Sequence, residues 1–574
     1  MKTSQDRARV EGPLGDEISL ESLLFCRCHP SLEGELYQLR DLTEKTRAPN
    51  LANFELHDAR KLPVSDQELF VQGPPSFWDR LWNPETGPSY WVVRFLILRL
   101  LGVVYFIGFL TVIDQGIPLL GSEGLTPAAD YLGRIETTLG SRSAGFVQLP
   151  SIFWFRDSDR FLVRVAWLGA GASLLVVFGY ANALTLTFLW FLYMSYVHIG
   201  QVWYGFGWEI QLLETGFLAI FLCPLLDGRP FAARPPPVVV IWLYRWLIFR
   251  IMLGAGLIKL RGDACWADLT CLAYHYETQP VPNPLSRWLH FMPLWSHKLG
   301  VIANHLSEIV TPFFAFGPRR ARHVAGVLFV GFQGMLIVSG NLSFLNWLTI
   351  IPALACFDDS FFARVIPDDL KRRLTRLQRV PYHRAQQVTA TALFVVVALG
   401  SIGPVANLLS PRQVMNTSFG RLHVVNTYGA FGSVGKERYE LVFEGREEGS
   451  NVWRAYEFPC KPTSVDRRPC IITPYHYRLD WLLWFAAMGR MQQYPWTAHL
   501  VWKLLQNDPN ALSLLASNPF PDAPPHEIRI ELYRYTFAPA GGDAWWTRER
   551  LSSWLPATKL TDRRMREFLE SQGW

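Results

Sequence analysis

The sequence predicts a polytopic α-helical membrane protein of about nine spans, uncertain by one or two, followed by an exoplasmic, strand-rich C-terminal domain of mixed α and β structure. Composition gives the first reason: hydrophobic side chains make up 50% of the 574 residues and charged ones only 18%. Apolar blocks suited to crossing about 30 Å of hydrocarbon as helices give the second; they recur between residues 91 and 404. The third is an aromatic content of 14% with 23 Trp, amphipathic rings suited to the boundary between hydrocarbon and water.

Taken in chain order, residues 1–85 are polar and mixed in charge and end in QGPPSFWDRLWNPETGP, the text of a polar cytosolic leader. Its start, MKTSQDRARVEGPLGDE, shows no apolar h-region, so insertion is expected to rest on the first span. That span is WVVRFLILRLLGVVYFIGFLTVI at 91–113. Further blocks run over 161–180, 181–200, 210–226, 237–260, 301–316, 324–338, 342–356 and 388–404, giving a transmembrane domain over 86–405. Lys and Arg near span ends gather on the cytoplasmic side. The basic connections at 227–236, 317–323 and 364–384 fall on one side under odd-even alternation, which places the N-terminus in the cytosol. The loop at 261–300 and the domain at 406–574 then lie across the membrane. In that domain, RLHVVNTYGAF (421–431) and ERYELVFEG (437–445) have the β-branched and aromatic mixture of strands, and DWLLWFAAM (480–488) reads as a buried or surface-lying helix.

The net charge of +6 is modest and its cations are not massed on one helical face, which excludes a nucleic-acid partner. The topology sorts the cysteines by redox compartment. Cys265 with Cys271 and Cys460 with Cys470 are exoplasmic, in polar loops, and are candidate disulfides. They read as structural staples; a redox-active pair is the alternative, against which neither spacing is CxxC. The CRCH at 26–29 has no second ligand pair nearby, so no metal site is expected.

Ionisable residues inside apolar blocks cost free energy unless paired or hydrated. Glu209 and Glu214 in GWEIQLLETGF, and Arg245 and Arg250 in YRWLIFRIM, belong to this class, and Glu214 is placed to neutralise one of the arginines. Packing ion pairs and a functional cluster are both open readings. Lys259 and Arg261 sit near the exoplasmic boundary, where they can snorkel. His305 and Glu308, three apart, share a helical face. Asn341 and Asn346 lie at a bend where side-chain amides can cap free backbone groups. Asn416 begins an N-T-S sequon, a glycosylation candidate in a secretory compartment. A phosphate-cradling glycine loop, a GxSxG elbow and HExxH are all absent, so the common hydrolase and nucleotide-enzyme readings fail.

Long blocks of this text, among them VWYGFGWEIQLLETGFLAIFLCPL (202–225), RWLIFRIMLGAGLIKLRGDACWADLTCLAYHYETQPVPNP (245–284) and RQVMNTSFGRLHVVNTYGAFGSVGKER (412–438), resemble the lipase maturation factor family. The blocks at 338–359 and 467–487 carry the same resemblance. It implies a multi-pass protein of the endoplasmic reticulum membrane without a cofactor. Its role would be to assist the folding and assembly of secreted dimeric lipases such as lipoprotein lipase, with its lumenal domain engaging the client. Tyr428, Phe431, Tyr475, His476, Tyr477 and Arg478 are the candidate client contacts, being aromatic and Arg groups of the kind that dominate interfaces. GAGLIKL (254–260) also resembles the segment of vitamin K-dependent γ-carboxylases that carries their catalytic lysine. That likeness offers an alternative, a quinol-dependent membrane enzyme with Lys259 as base beside Arg261. A transporter is a third class, but paired broken helices and internal repeats are absent.

Overall fold

The computed structural model describes residues 88–377, 382–539 and 541–574, so the leader at 1–85 with its CRCH lies outside the described residues. Helix α1, Trp91–Leu120, is a 30-residue run of Leu, Val, Ile and Phe. The Asp359 carboxylate accepts from the Trp91 and Val92 amides at 2.8 and 2.9 Å, supplying acceptors to donors the helix itself cannot satisfy. Helix α2, Asp159–Val177, lies against α1; α3, Ala183–Ile199, is capped by Asn182. Then follow α4, Gly207–Leu222, and α5, Val238–Arg261, which Pro237 precedes.

Residues 261–300 are more ordered than the expected loop. They hold short helices at Ala264–Ala267 and Leu272–Thr278, then α6, Pro284–His290, closed by an Asn283–Ser286 capping box. Helix α7, Leu294–His305, runs on through a π turn, Leu306–Val310, into Thr311–Phe314. Helices α8, Arg319–Ser339, α9, Leu345–Ala353, α10, Arg384–Gly400, and α11, Ile402–Leu409, complete the bundle.

All nine apolar blocks carry helix, but among the described residues only five helical stretches are long and apolar enough to cross a membrane: α1, α2, α5, α8 and the continuous α10–α11. The others are shorter for local reasons. Gly340 and Asn341 interrupt the chain before α9, and after Ala353 it tightens into a 3-10 turn at Leu354–Cys356.

The bundle is inverted in polarity relative to a water-soluble one. Glu209, Gln211, Glu214, Arg245 and Arg250 are buried, while Trp167, Leu168, Val327 and Val396 are exposed. Beyond it lies an antiparallel sheet of order β2-β1-β3-β4, built from β1 Arg438–Arg446, β2 Arg454–Ala455, β3 Glu527–Phe537 and β4 Trp546–Thr558. Strand β1 is the predicted ERYELVFEG. The predicted helix at 480–488 is α12, Arg478–Ala487, and it is largely buried. The strand expected at 421–431 does not form; among the described residues a single bridge, Ser418 to Asn426, is its only β pairing. Its polar groups are taken up by side chains of the bundle.

Candidate functional site

The buried charges of the bundle and the C-terminal text meet at one joint, built at three levels. At the first, Glu209, in the opening turn of α4, is fully buried. Its carboxylate accepts from the Trp208 indole at 2.9 Å, from the Tyr193 hydroxyl, and from the Arg478 guanidinium at 2.8 Å. Arg478 lies over the Tyr204 ring at 3.5 Å and also donates to the Trp203 carbonyl at 2.5 Å. Near the end of α1, the Gln115 amide donates to Tyr475 and to the His476 carbonyl at 2.8 and 2.7 Å, and its oxygen accepts from the Arg478 amide at 2.9 Å. Asp114 accepts from the Tyr475 hydroxyl. The His476 ring packs 5.2 Å from Trp208, and burial, then Arg478, push its pKa well below the ordinary histidine range.

At the second level Glu214 pairs with Arg250, both about 1% exposed. Asn426 and Tyr428 complete its shell: the Tyr428 hydroxyl donates at 2.7 Å, the Asn426 amide at 2.9 Å and its side chain at 3.0 Å. Arg250 returns a bond to the Asn426 carbonyl at 2.5 Å. This pairing is why 421–431 needs no strand partner. Arg245 serves the bundle alone, donating to the Ala355 carbonyl and the Tyr90 hydroxyl at 2.8 Å each.

The third level lies at the end of α5. The Lys259 ammonium donates to both Glu308 oxygens at 2.6 and 2.7 Å, Asn304 donates to the same carboxylate at 3.0 Å, and the Trp266 ring lies 5.1 Å from the ammonium. The Trp266 indole in turn donates to the Phe431 carbonyl at 2.9 Å. Arg261 donates to Gln413 at 2.7 Å and to the Leu408 carbonyl at 2.9 Å. Backbone lies directly on backbone here: a Cβ at Gly254 would stand 2.4 Å from the Tyr428 carbonyl, and one at Gly262 2.2 Å from that of Gly432. His305 bonds the Trp266 carbonyl at 3.1 Å and does not act with Glu308 as a pair. Among the described residues no group of three metal-ligating side chains converges.

Both cysteine pairs are closed, Cys265–Cys271 and Cys460–Cys470. Asn341 does more than cap its own bend: it donates to the Cys470 carbonyl and accepts from the Ile472 amide, both at 3.0 Å. Asn346 donates to Gln333 at 2.7 Å within the bundle. Asn416 is exposed and accepts from the Gly429 amide at 3.3 Å.

Of the six expected client contacts, three lie inside the protein. Tyr428, His476 and Arg478 are enclosed, 3, 2 and 1% exposed, because each satisfies or packs against the buried polar interior of the bundle. Phe431, Tyr475 and Tyr477 are half-buried. Sequence reasoning missed Gln115 and Trp266, whose contacts with the C-terminal chain, at Tyr475 and Phe431, span 360 and 165 residues and leave no local signal.

Apolar outer faces, paired charges inside and a strand-containing region bolted to the bundle define a polytopic helical membrane protein with a C-terminal extension that completes its interior. Residues 92–364 match the lipase maturation factor transmembrane domain and residues 424–556 the lipase maturation factor C-terminal domain. The chain is 48% identical over 518 residues to lipase maturation factor 1 of Bos taurus, covering 85% of this chain and 92% of the relative. It is 45% identical over 555 residues to that of Homo sapiens, covering 90% and 96%. Lipase maturation factor 2 of Mus musculus is 29% identical over 602 residues, covering 83% and 84%. The chain belongs to the lipase maturation factor family. No solved structure matches it.

Proposed function

We propose that this chain assists the folding and assembly of secreted dimeric lipases, lipoprotein lipase among them, from the endoplasmic reticulum membrane. The observation that carries this is the identity of 45–48% to proteins named lipase maturation factor 1, which extends through both the bundle and the C-terminal region. In this reading residues 1–85 are cytosolic, 86–405 form about nine spans in contact with membrane lipid, and 406–574 are lumenal. The joint holds the lumenal region in a fixed pose, and Tyr475 and Tyr477, which keep exposed area, remain the contacts offered to the client. The test is expression in cells lacking their own maturation factor, with secreted lipase activity and lipase protein measured together. Activity per molecule of lipase is expected to rise, and no change overturns the proposal.

The enzyme reading of Lys259 is not adopted. Both Glu308 oxygens hold its side-chain nitrogen, at 2.6 and 2.7 Å, an arrangement that suits a buried packing ion pair. Lys259→Met separates the readings, since a folded variant without rescue would restore the base.

A further inference from the structure

Helix α7 and its π-turn continuation carry polar residues inward and apolar ones outward. His297, Asn304, Ser307 and Glu308 are buried, while Leu299, Ile302, Leu306, Val310 and Phe313 are exposed in one stripe at helical spacing. In water that polarity would be reversed, so the stripe faces hydrocarbon. The apolar surface does not stop where α7 begins. It continues backwards from Trp295, at the start of α7 and 62% exposed, through Met292 and Phe291 in the turn, 46 and 48%, to Trp288 and Leu285 of α6, 59 and 39%. Two Trp with the exposed Lys298 beside them are the residue types that settle at headgroup level.

The opposite side of α6 points into the protein. Arg287, next to Trp288, is 6% exposed. Its guanidinium donates to the Ala538 carbonyl at 2.8 Å and the Pro539 carbonyl at 2.5 Å, just past the end of β3, and lies 4.7 Å over the Trp545 ring. Glu277 accepts from the Phe537 amide at 2.7 Å and faces His290 of α6 at 3.6 Å. One short helix therefore offers large apolar side chains to the outside and grips the sheet with a buried cation.

We propose that residues 285–295 lie in the headgroup–acyl boundary of the bilayer and fasten the C-terminal sheet to the membrane surface. The ligand is a lipid surface, and the proposal rests on the reading of α7 and its continuation as lipid-facing. A helix lying in the interface with aromatic and aliphatic residues directed into it is a known mode of membrane attachment. Here the attachment is internal to the fold: the same short segment that reaches the lipid also sets the height of β3 and β4 above it.

The experiment uses the full chain in vesicles of phosphatidylcholine and phosphatidylglycerol, with Cys26, Cys28, Cys223 and Cys356 replaced by Ser and single nitroxide labels introduced by Leu285→Cys, Trp288→Cys, Met292→Cys, Ile302→Cys, Leu306→Cys and, as an aqueous control, Arg468→Cys. Collision rates with oxygen and with a water-soluble nickel chelate report depth. Labels at 302 and 306 are expected deep in lipid, those at 285, 288 and 292 at shallow depth, and that at 468 in water. Aqueous labels at 285–292 with 302 and 306 still deep overturn the anchor and give the patch to a protein partner. Aqueous labels at 302 and 306 as well overturn the lipid-facing reading beneath it. Arg287→Gln is expected to leave the label at 288 in lipid while raising the mobility of a label at Leu551→Cys on β4; unchanged mobility there overturns the fastening.

Discussion

Two sets of acid–arginine pairs differ sharply in setting, and the contrast between them shows what the joint is for. Glu214–Arg250 and Glu209–Arg478 are sealed between the bundle and the C-terminal chain, each partner about 1% exposed or less. Arg534 on β3 pairs with Glu437 and Glu549 on the open face of the sheet, with side chains 38, 44 and 63% exposed. In the second setting water solvates either partner once the other is gone. In the first no water replaces a lost partner, so each charge depends on its counter-charge and on the C-terminal chain that seals the pair. The buried pairs thus act as a condition on assembly, while the exposed ones decorate a surface already formed.

This contrast is sharpest at Glu214. Glu214→Ala leaves Arg250 buried without its counter-charge and is expected to cost about 3–5 kcal/mol, read as a collapse of the detergent melting temperature and protease cleavage near 412–432. The double variant Glu214→Leu with Arg250→Met removes the charges together and is expected to recover only part of the loss, because the Asn426 and Tyr428 groups that bonded them stay buried without partners. A smaller effect is expected from the staple beside the joint. Replacing Cys460 and Cys470 by Ser opens a short loop and is expected to cost about 2–3 kcal/mol by chain entropy, measured by the same melt.

Histidines supply the next rank. Burial, then His198, bring the His423 ring down to about 3, and burial, then Lys259, bring His275 down to about 4. In the unfolded chain both titrate near their ordinary 6.5, so below that pH the unfolded state binds protons the folded state refuses. Stability is expected to be level above pH 6.5 and to decline as pH falls from there towards 3–4, by up to about 1.4 kcal/mol per pH unit for each ring. His423→Gln is expected to flatten that slope in a melt recorded from pH 7 to 5. The smallest effect lies on the open face. Arg534→Ala is expected to leave the melting temperature unchanged, and a clear drop there would erase the distinction between the two settings.

The membrane class was readable from apolar blocks because a helix exposed to lipid carries its signal on its outside. Span length was less readable: a helix enclosed by others, like α4 or α9, can be short. Strand β1 was legible because its β-branched and aromatic residues sit in a sheet that buries nearly all of them. The segment at 421–431 has the same composition, yet Glu214 and Arg250 take its backbone and side-chain bonds, and composition cannot show a partner some 200 residues upstream. Arg478 illustrates the same limit. Its residue type suggested a surface hot spot, whereas its pairing with Glu209 makes it an interior bolt.

The contact of Gly254 and Gly262 with the 428–432 backbone bears on how the chain can be divided. A fragment ending near residue 409, where the last long apolar helix ends, would keep Glu214 and Arg250 but discard Asn426 and Tyr428, the groups that complete their shell. A fragment reaching residue 432 would retain them. The ribbon at 412–432 is therefore the last wall of the membrane half, and a cut made by hydropathy alone falls on the wrong side of it.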